Sequence, residues 1–99
     1  MTCVIGIENK DGTIEYIACK RSDIKGLYTK YNTEQHVRSL IDNGNKRWNS
    51  KPKVKVSSIR SLVSTAFQTD SPEYVVLFKD HKWFIQENET SSLRPLVMS

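Results

Sequence analysis

The stretch Glu73–Glu87, EYVVLFKDHKWFIQE, constrains the fold more than any other part of the chain. It is the densest apolar run and is broken once, at Lys79-Asp80-His81-Lys82. Two runs rich in β-branched and aromatic residues, joined by a short Asp-containing link, read as a β-hairpin. With the loop at Asp80-His81, Phe78 falls opposite Trp83, Val76 opposite Ile85 and Tyr74 opposite Glu87. The reverse face carries Val75, Leu77 and Phe84. Side chains alternate across a strand, so both faces of this hairpin are apolar. Such a pair belongs in a sheet covered on both sides, or turns one face to a subunit interface. The expectation is that the tail or a second copy of the chain covers Val75, Leu77 and Phe84. In the second case the protein is a homodimer through the second face of 73–87.

A second hairpin opens the chain. Cys3–Glu8 and Thr13–Cys19 flank the turn signal Asn9-Lys10-Asp11-Gly12. A two-residue Asp-Gly turn would set Glu8 against Glu15, and like charges directly opposite are destabilising. A four-residue loop instead pairs Glu8 with Thr13 and puts Ile7/Ile14, Ile5/Tyr16 and Cys3/Ala18 on one face. That register predicts Cys3 and Cys19 on opposite faces, unable to bridge each other.

Between the hairpins, Lys20–Lys30 is basic and shows no clear period, which reads as a loop or one irregular turn. Asn32 or Thr33 opens a helix to about Asn43, with Val37, Leu40 and Ile41 as its apolar stripe and Gly44 as terminator. The segment 44–56, GNKRWNSKPKVKV, is punctuated by Gly, Asn, Ser and Pro; Val54 and Val56 suit a short edge strand. Ser57 or Ser58 caps a further helix whose Ile59, Leu62, Val63, Ala66 and Phe67 follow helical spacing. The Ser/Thr-rich segment from about residue 89 reads as a ragged tail, to which Leu93, Leu96 and Val97 add weak docking contacts.

The order is β-β-α-α-β-β. The expected fold is α+β, an antiparallel sheet of about four strands with two helices packed on one face. A chain of 99 residues fits a single domain spanning 1–99. No long apolar run or leader pattern is visible, so a cytoplasmic protein without membrane contact is expected.

Candidate chemistry is sparse. Thr2, exposed by methionine removal, has the form of an N-terminal nucleophile but lacks a recognisable lysine–aspartate constellation. His36 and His81 are the only histidines, and two cysteines without ligand spacing do not make a metal motif. No glycine-rich phosphate loop is present. No catalytic residue, metal or cofactor is therefore expected, and the chain reads as a non-enzyme.

The clearest feature outside the core is electrostatic. The net charge is +4, and no acidic residue lies between Asp42 and Asp70. That interval holds Lys46, Arg47, Trp48, Lys51, Lys53 and Lys55, a basic and aromatic strip that suits an acidic protein groove. The same composition suits a nucleic-acid backbone or a nucleotide, with Trp48 stacking on a base. The plainer alternative is a solvated basic loop with Trp48 folded onto the core. A second group, Lys20, Arg21, Lys25 and Lys30, matters only if folding brings it beside the first.

Several motifs resemble those of a loosely defined family of small phage and prophage proteins. Ile17-Ala18-Cys19, Gly26, Tyr31, and Val37 through Leu40-Ile41 to Gly44 follow its pattern. Glu73–Trp83 resembles its terminal E-Y-x-Y-L-F-K-D-G-x-W hairpin. The family's H-x-D-G-Y-P element is replaced here by Lys20-Arg21-Ser22-Asp23, and its middle portion is shortened. The resemblance implies a mobile-element origin and carries over no functional residue. With the basic strip it gives the expected function: a protein that binds and inhibits a host defence or nucleic-acid-handling complex, in the manner of anti-CRISPR proteins. The expected partner is a host protein or ribonucleoprotein complex, with nucleic acid or a nucleotide as the alternative.

Overall fold

Four consecutive residues, Val75 to Phe78, and their counterparts in Cys3–Ile7 are buried on both faces of one sheet, and their neighbours arrange themselves around them. In the computed structural model, which describes residues 2–21 and 23–97, the strands are β1 (Cys3–Glu8), β2 (Ile14–Cys19), β3 (Val54–Val56), β4 (Tyr74–Lys79), β5 (Lys82–Gln86) and β6 (Arg94–Pro95). The helices are α1 (Ile24–Lys30), α2 (Glu34–Asn43) and α3 (Ile59–Thr69), with a 3₁₀ turn at Lys46–Trp48. The sheet has six strands in the order β3-β2-β1-β4-β5-β6.

The fold is α+β, as expected, but the sheet is mixed rather than antiparallel, because β1 and β4 pair in parallel. These two strands are apolar on both sides and so take the central positions, where both faces are covered. The more polar, shorter β3 and β6 take the edges.

The helices are not on one face. Val37, Leu40 and Ile41 of α2 and Leu27 of α1 join Cys3, Ile5, Ile7, Val76, Phe78, Trp83 and Ile85 in one core. Leu62 and Ala66 of α3 lie on the other side, against Val4, Tyr16, Val75 and Leu77. On the second face of the β4–β5 hairpin, Val75 and Leu77 are thus covered by α3, with Leu93 packed beside them, while Phe84 stays partly exposed under the Lys79 ammonium. Val75 and Leu77 are both fully buried in the single chain.

The β4–β5 register pairs Phe78 with Trp83 and Val76 with Ile85, as the sequence predicts; the ladder ends at Val75–Gln86, short of Tyr74 and Glu87. Its two-residue turn has φ of 53° at Asp80 and 62° at His81. Positive values at both central positions mark the turn whose twist matches the flanking strands.

The first hairpin differs by one residue. Glu8 pairs with Ile14, Ile5 with Ile17 and Cys3 with Cys19. The cause is a bulged loop: the Asn9 N–H donates to the Thr13 carbonyl at 2.8 Å, and the Gly12 N–H to the Asn9 carbonyl at 3.0 Å. Gly12 adopts φ of 87°, which absorbs one extra residue in the turn. A slip of one residue moves a whole strand's side chains to the other face. Cys3 and Cys19 therefore share a face, contrary to the expectation. Both are buried thiols, and a hydrogen bond between them, followed by burial, pushes the Cys19 thiol strongly up.

Helix α1 is the element the loop reading misses. Asp23 caps it, accepting from the Gly26 N–H at 3.0 Å, and Ile24, Leu27, Tyr28 and Tyr31 all turn to the core. Of the two expected caps of helix α2 it is Thr33 that serves, its hydroxyl accepting from the His36 N–H at 3.2 Å. Ser58 caps α3 as expected. The tail, expected to be ragged, adds β6 to the sheet, and the Leu96 N–H donates to the Trp83 carbonyl at 2.9 Å.

The turn geometry makes a prediction. An L-residue in the left-handed region costs roughly 1–2 kcal/mol, which glycine avoids. His81→Gly is expected to raise stability by about 1 kcal/mol, after allowing for the larger entropy of glycine in the unfolded chain. A urea titration checks this; a lower midpoint would contradict the turn.

Candidate nucleic-acid or protein interface

The predicted strip does not fold into one uniform basic surface. Its lysines divide according to the acids that meet them. Lys51 sits where the chain leaves the 3₁₀ turn, its backbone N–H donating to the Ala18 carbonyl at 2.8 Å. Its ammonium reaches Asp70 Oδ1 at 3.0 Å, and the Asp70 side chain is only 6% exposed. Lys53 lies 2.9 Å from Asp42 Oδ1 and 3.0 Å from Glu15 Oε1. Asp42 and Asp70, which bound the acid-free interval in sequence, return to it in space. Lys55 is exposed on β3, opposite Glu15 in the register.

The Glu15 carboxylate ties three segments together. It accepts from Lys53 of the 51–53 segment and, at 3.4 Å, from Arg38 of α2, whose guanidinium also reaches Asn9 Oδ1 at 2.9 Å. The hydrogen bond from Lys53 holds the Glu15 carboxyl below its ordinary value, against the opposing pull of burial. Bonds to Asp42 and Glu15 raise Lys53 in turn. Lys51 and Lys53 are thus bound into the fold.

Trp48 is half-buried. Its ring packs against the α1–α2 core and meets Tyr31 edge-on, with centroids 6.2 Å apart and planes at 62°. The Asn45 side chain fixes the turn, accepting from the Arg47 N–H at 2.9 Å and the Trp48 N–H at 3.3 Å. The indole is therefore engaged with protein on one side, as the reading of a Trp48 folded onto the core has it.

What remains is a different grouping. The Arg21 N–H donates to the Trp48 carbonyl at 3.1 Å, and Cys19 bridges to Ser50. These contacts bring the end of β2 beside the 3₁₀ turn. Lys20, Arg21, Lys46 and Arg47 are all exposed, and among the described residues none of them forms an ion pair. Folding thus joins part of the second basic group to the first. The pairing of Lys20-Arg21 with Lys46-Arg47 was not legible in the sequence, because it depends on the path of the chain after β2.

Thr2, the candidate nucleophile, accepts through its carbonyl from the Glu73 N–H at 2.8 Å. It shares a cavity of about 110 Å³ with Lys51 and Asp70, but the Lys51 ammonium is held by Asp70 rather than directed to Thr2 as a base. His36 and His81 are both exposed. Among the described residues, no group of His, Cys, Asp and Glu is arranged to hold a metal ion, and no helix is long and apolar enough to cross a membrane. Comparison with family models, with curated proteins and with solved structures gave no match. The functional reading rests on the residues themselves.

Two outcomes follow from the division of the charges. A carboxyl depressed in the folded state adds stability above its unfolded value and loses it as pH falls through the folded one. Stability is therefore expected to fall as pH drops below the ordinary 4.5 of Glu15. The fall should be shallower in Glu15→Gln, as read by urea midpoints at neutral and acid pH. Equal slopes would show that Glu15 is not the group responsible. Separately, Lys53→Glu is expected to lower the unfolding midpoint at neutral pH, whereas Arg47→Glu should leave it within about 0.5 kcal/mol of the parent, the range of ordinary surface substitutions. A stable Lys53→Glu would remove Lys53 from the structural set.

Proposed function

We propose that this chain is a non-enzymatic binding protein of phage type that inhibits a host defence or nucleic-acid-handling complex by protein–protein contact. The observation that carries the reading is the junction of β2 with the 3₁₀ turn, which sets Lys20 and Arg21 beside the segment of Lys46 and Arg47, all four exposed and without an ion pair among the described residues. Four exposed cations on two tethered segments form a positive patch that complements an acidic protein surface. Lys51 and Lys53, on the same connection, are tied by ion pairs to Asp70, Asp42 and Glu15 and hold the segment that carries the patch in place. The terminal-hairpin resemblance supports the phage-type component.

Direct binding of nucleic acid or a nucleotide messenger by the same patch is the second reading. The state of Trp48 weighs against it: a ring packed edge-on to Tyr31 is not presented as a stacking platform.

The test uses the tagged protein as bait in host lysate, with nuclease treatment before capture. A stoichiometric protein complex that survives the nuclease and dissociates when Arg21 and Arg47 are both changed to Glu is expected. A complex lost to nuclease, together with a mobility shift of nucleic acid that weakens steeply with salt, would favour the second reading. A complex indifferent to the double charge reversal would place the contact elsewhere.

A further inference from the structure

One cavity on the molecule is lined by none of the residues of the basic patch. It is a groove of about 710 Å³ between the C-terminal end of α1 and the β5–β6 edge. Trp83 and Phe78 line its inner side, 4% and 3% exposed, with their rings edge-on at 5.2 Å. Tyr28 and Leu96 line it further, and Val97, 79% exposed, belongs to the same lining. The shape is fixed by two backbone-anchored bonds. The Trp83 indole N–H donates to the Tyr31 carbonyl at 2.8 Å, and the Leu96 N–H to the Trp83 carbonyl at 2.9 Å. The indole's only donor is thereby satisfied inside the protein, so the ring offers the groove an apolar surface.

The charged and titratable side chains on the groove point to one kind of occupant. Lys82 and His81 line it, and among the described residues no carboxylate does. The nearest acid in sequence, Asp80, is held by Lys79 at 3.0 Å. A space of this volume, with an apolar aromatic wall and a few polar groups, has the dimensions of a small-molecule site rather than of a flat protein contact. We propose that the groove binds a small organic anion, with its aromatic or aliphatic body against Tyr28, Trp83 and Leu96 and its acidic group at Lys82. This site does not depend on the basic patch, and its failure would leave the reading of that patch intact.

The test uses 8-anilinonaphthalene-1-sulfonate, which joins an aromatic body to a fixed negative charge, and its uncharged counterpart N-phenyl-1-naphthylamine. In Trp48→Phe the remaining tryptophan is Trp83, which serves as the reporter. Saturable binding of one sulfonate per chain is expected, with quenching of Trp83 along the same isotherm. Lys82→Glu, an exposed substitution, should weaken the sulfonate by about tenfold or more, since reversal replaces an attraction by a repulsion. The same variant should alter binding of the neutral probe less than about twofold, a difference well under 1 kcal/mol. Tyr28→Ala should weaken both probes while the thermal transition stays cooperative. Failure of the sulfonate to saturate, absence of Trp83 quenching, or equal effects of Lys82→Glu on both probes would each overturn the proposal.

Discussion

The pairing of β1 with β4 is the constraint from which the rest of the architecture follows. Cys3, Ile5 and Ile7 alternate with Val4 and Gly6, and Val76 and Phe78 alternate with Val75 and Leu77. Every one of these apolar side chains is buried. Burial is worth about 25 cal/mol per Å² of apolar surface, so neither face of the pair can be left to water. One helix layer would cover only half of it. The chain solves this by sending α1 and α2 over one side and α3 over the other, before β4 enters beside β1. Parallel pairing of β1 with β4 needs such a crossover, because a tight turn joins only antiparallel neighbours, and α3 supplies it on the way into β4. The two edge strands are then the pieces with least to bury, and both are short, which limits edge-to-edge association.

The same path decides which charges remain available to a partner. Lys51 and Lys53 lie on the connection between the 3₁₀ turn and β3, a segment with few apolar side chains to hold it. Ion pairs with Asp70, Asp42 and Glu15 hold it instead. Exposed pairs of this kind contribute little singly, but Glu15 is 17% exposed and joins β2, α2 and the 51–53 segment at one point. Charge counted along the sequence therefore overstates the surface presented by this loop. Lys20, Arg21, Lys46 and Arg47 are left without an ion pair among the described residues.

What was legible in the sequence was local. The β4–β5 register followed from alternation and a two-residue link. Residue type narrowed the N-caps to Asn32 or Thr33 and to Ser57 or Ser58, of which Thr33 and Ser58 serve, and it marked Gly44 as a terminator; Gly44 sits at φ of 72°, where any Cβ would meet the Ser50 hydroxyl. The first register missed by one because Gly12 signals a bulge as readily as a plain turn, and charge repulsion between Glu8 and Glu15 excluded only one of the alternatives. Helix α1 was hidden by Gly26, yet Ile24, Leu27, Tyr28 and Tyr31 carried the spacing of a helical face. Parallel pairing, the distribution of helices on two faces and the acids returning to the lysines are long-range facts. No window of the sequence contains both partners.

The candidate binding surfaces sit on the least massive parts of the fold. The basic patch uses a three-residue 3₁₀ turn and the end of β2, and the groove uses a seven-residue helix and a two-residue strand. Tyr31, the C-cap of α1, connects them: its ring meets Trp48 and its carbonyl accepts from Trp83. Segments with few buried contacts open at lower free energy than a central sheet does. Placing both surfaces there lets them adjust to a ligand or partner without disturbing β1 and β4. The central pair supplies rigidity, the short elements supply the exposed chemistry, and Tyr31 is where the two short-element surfaces share a support.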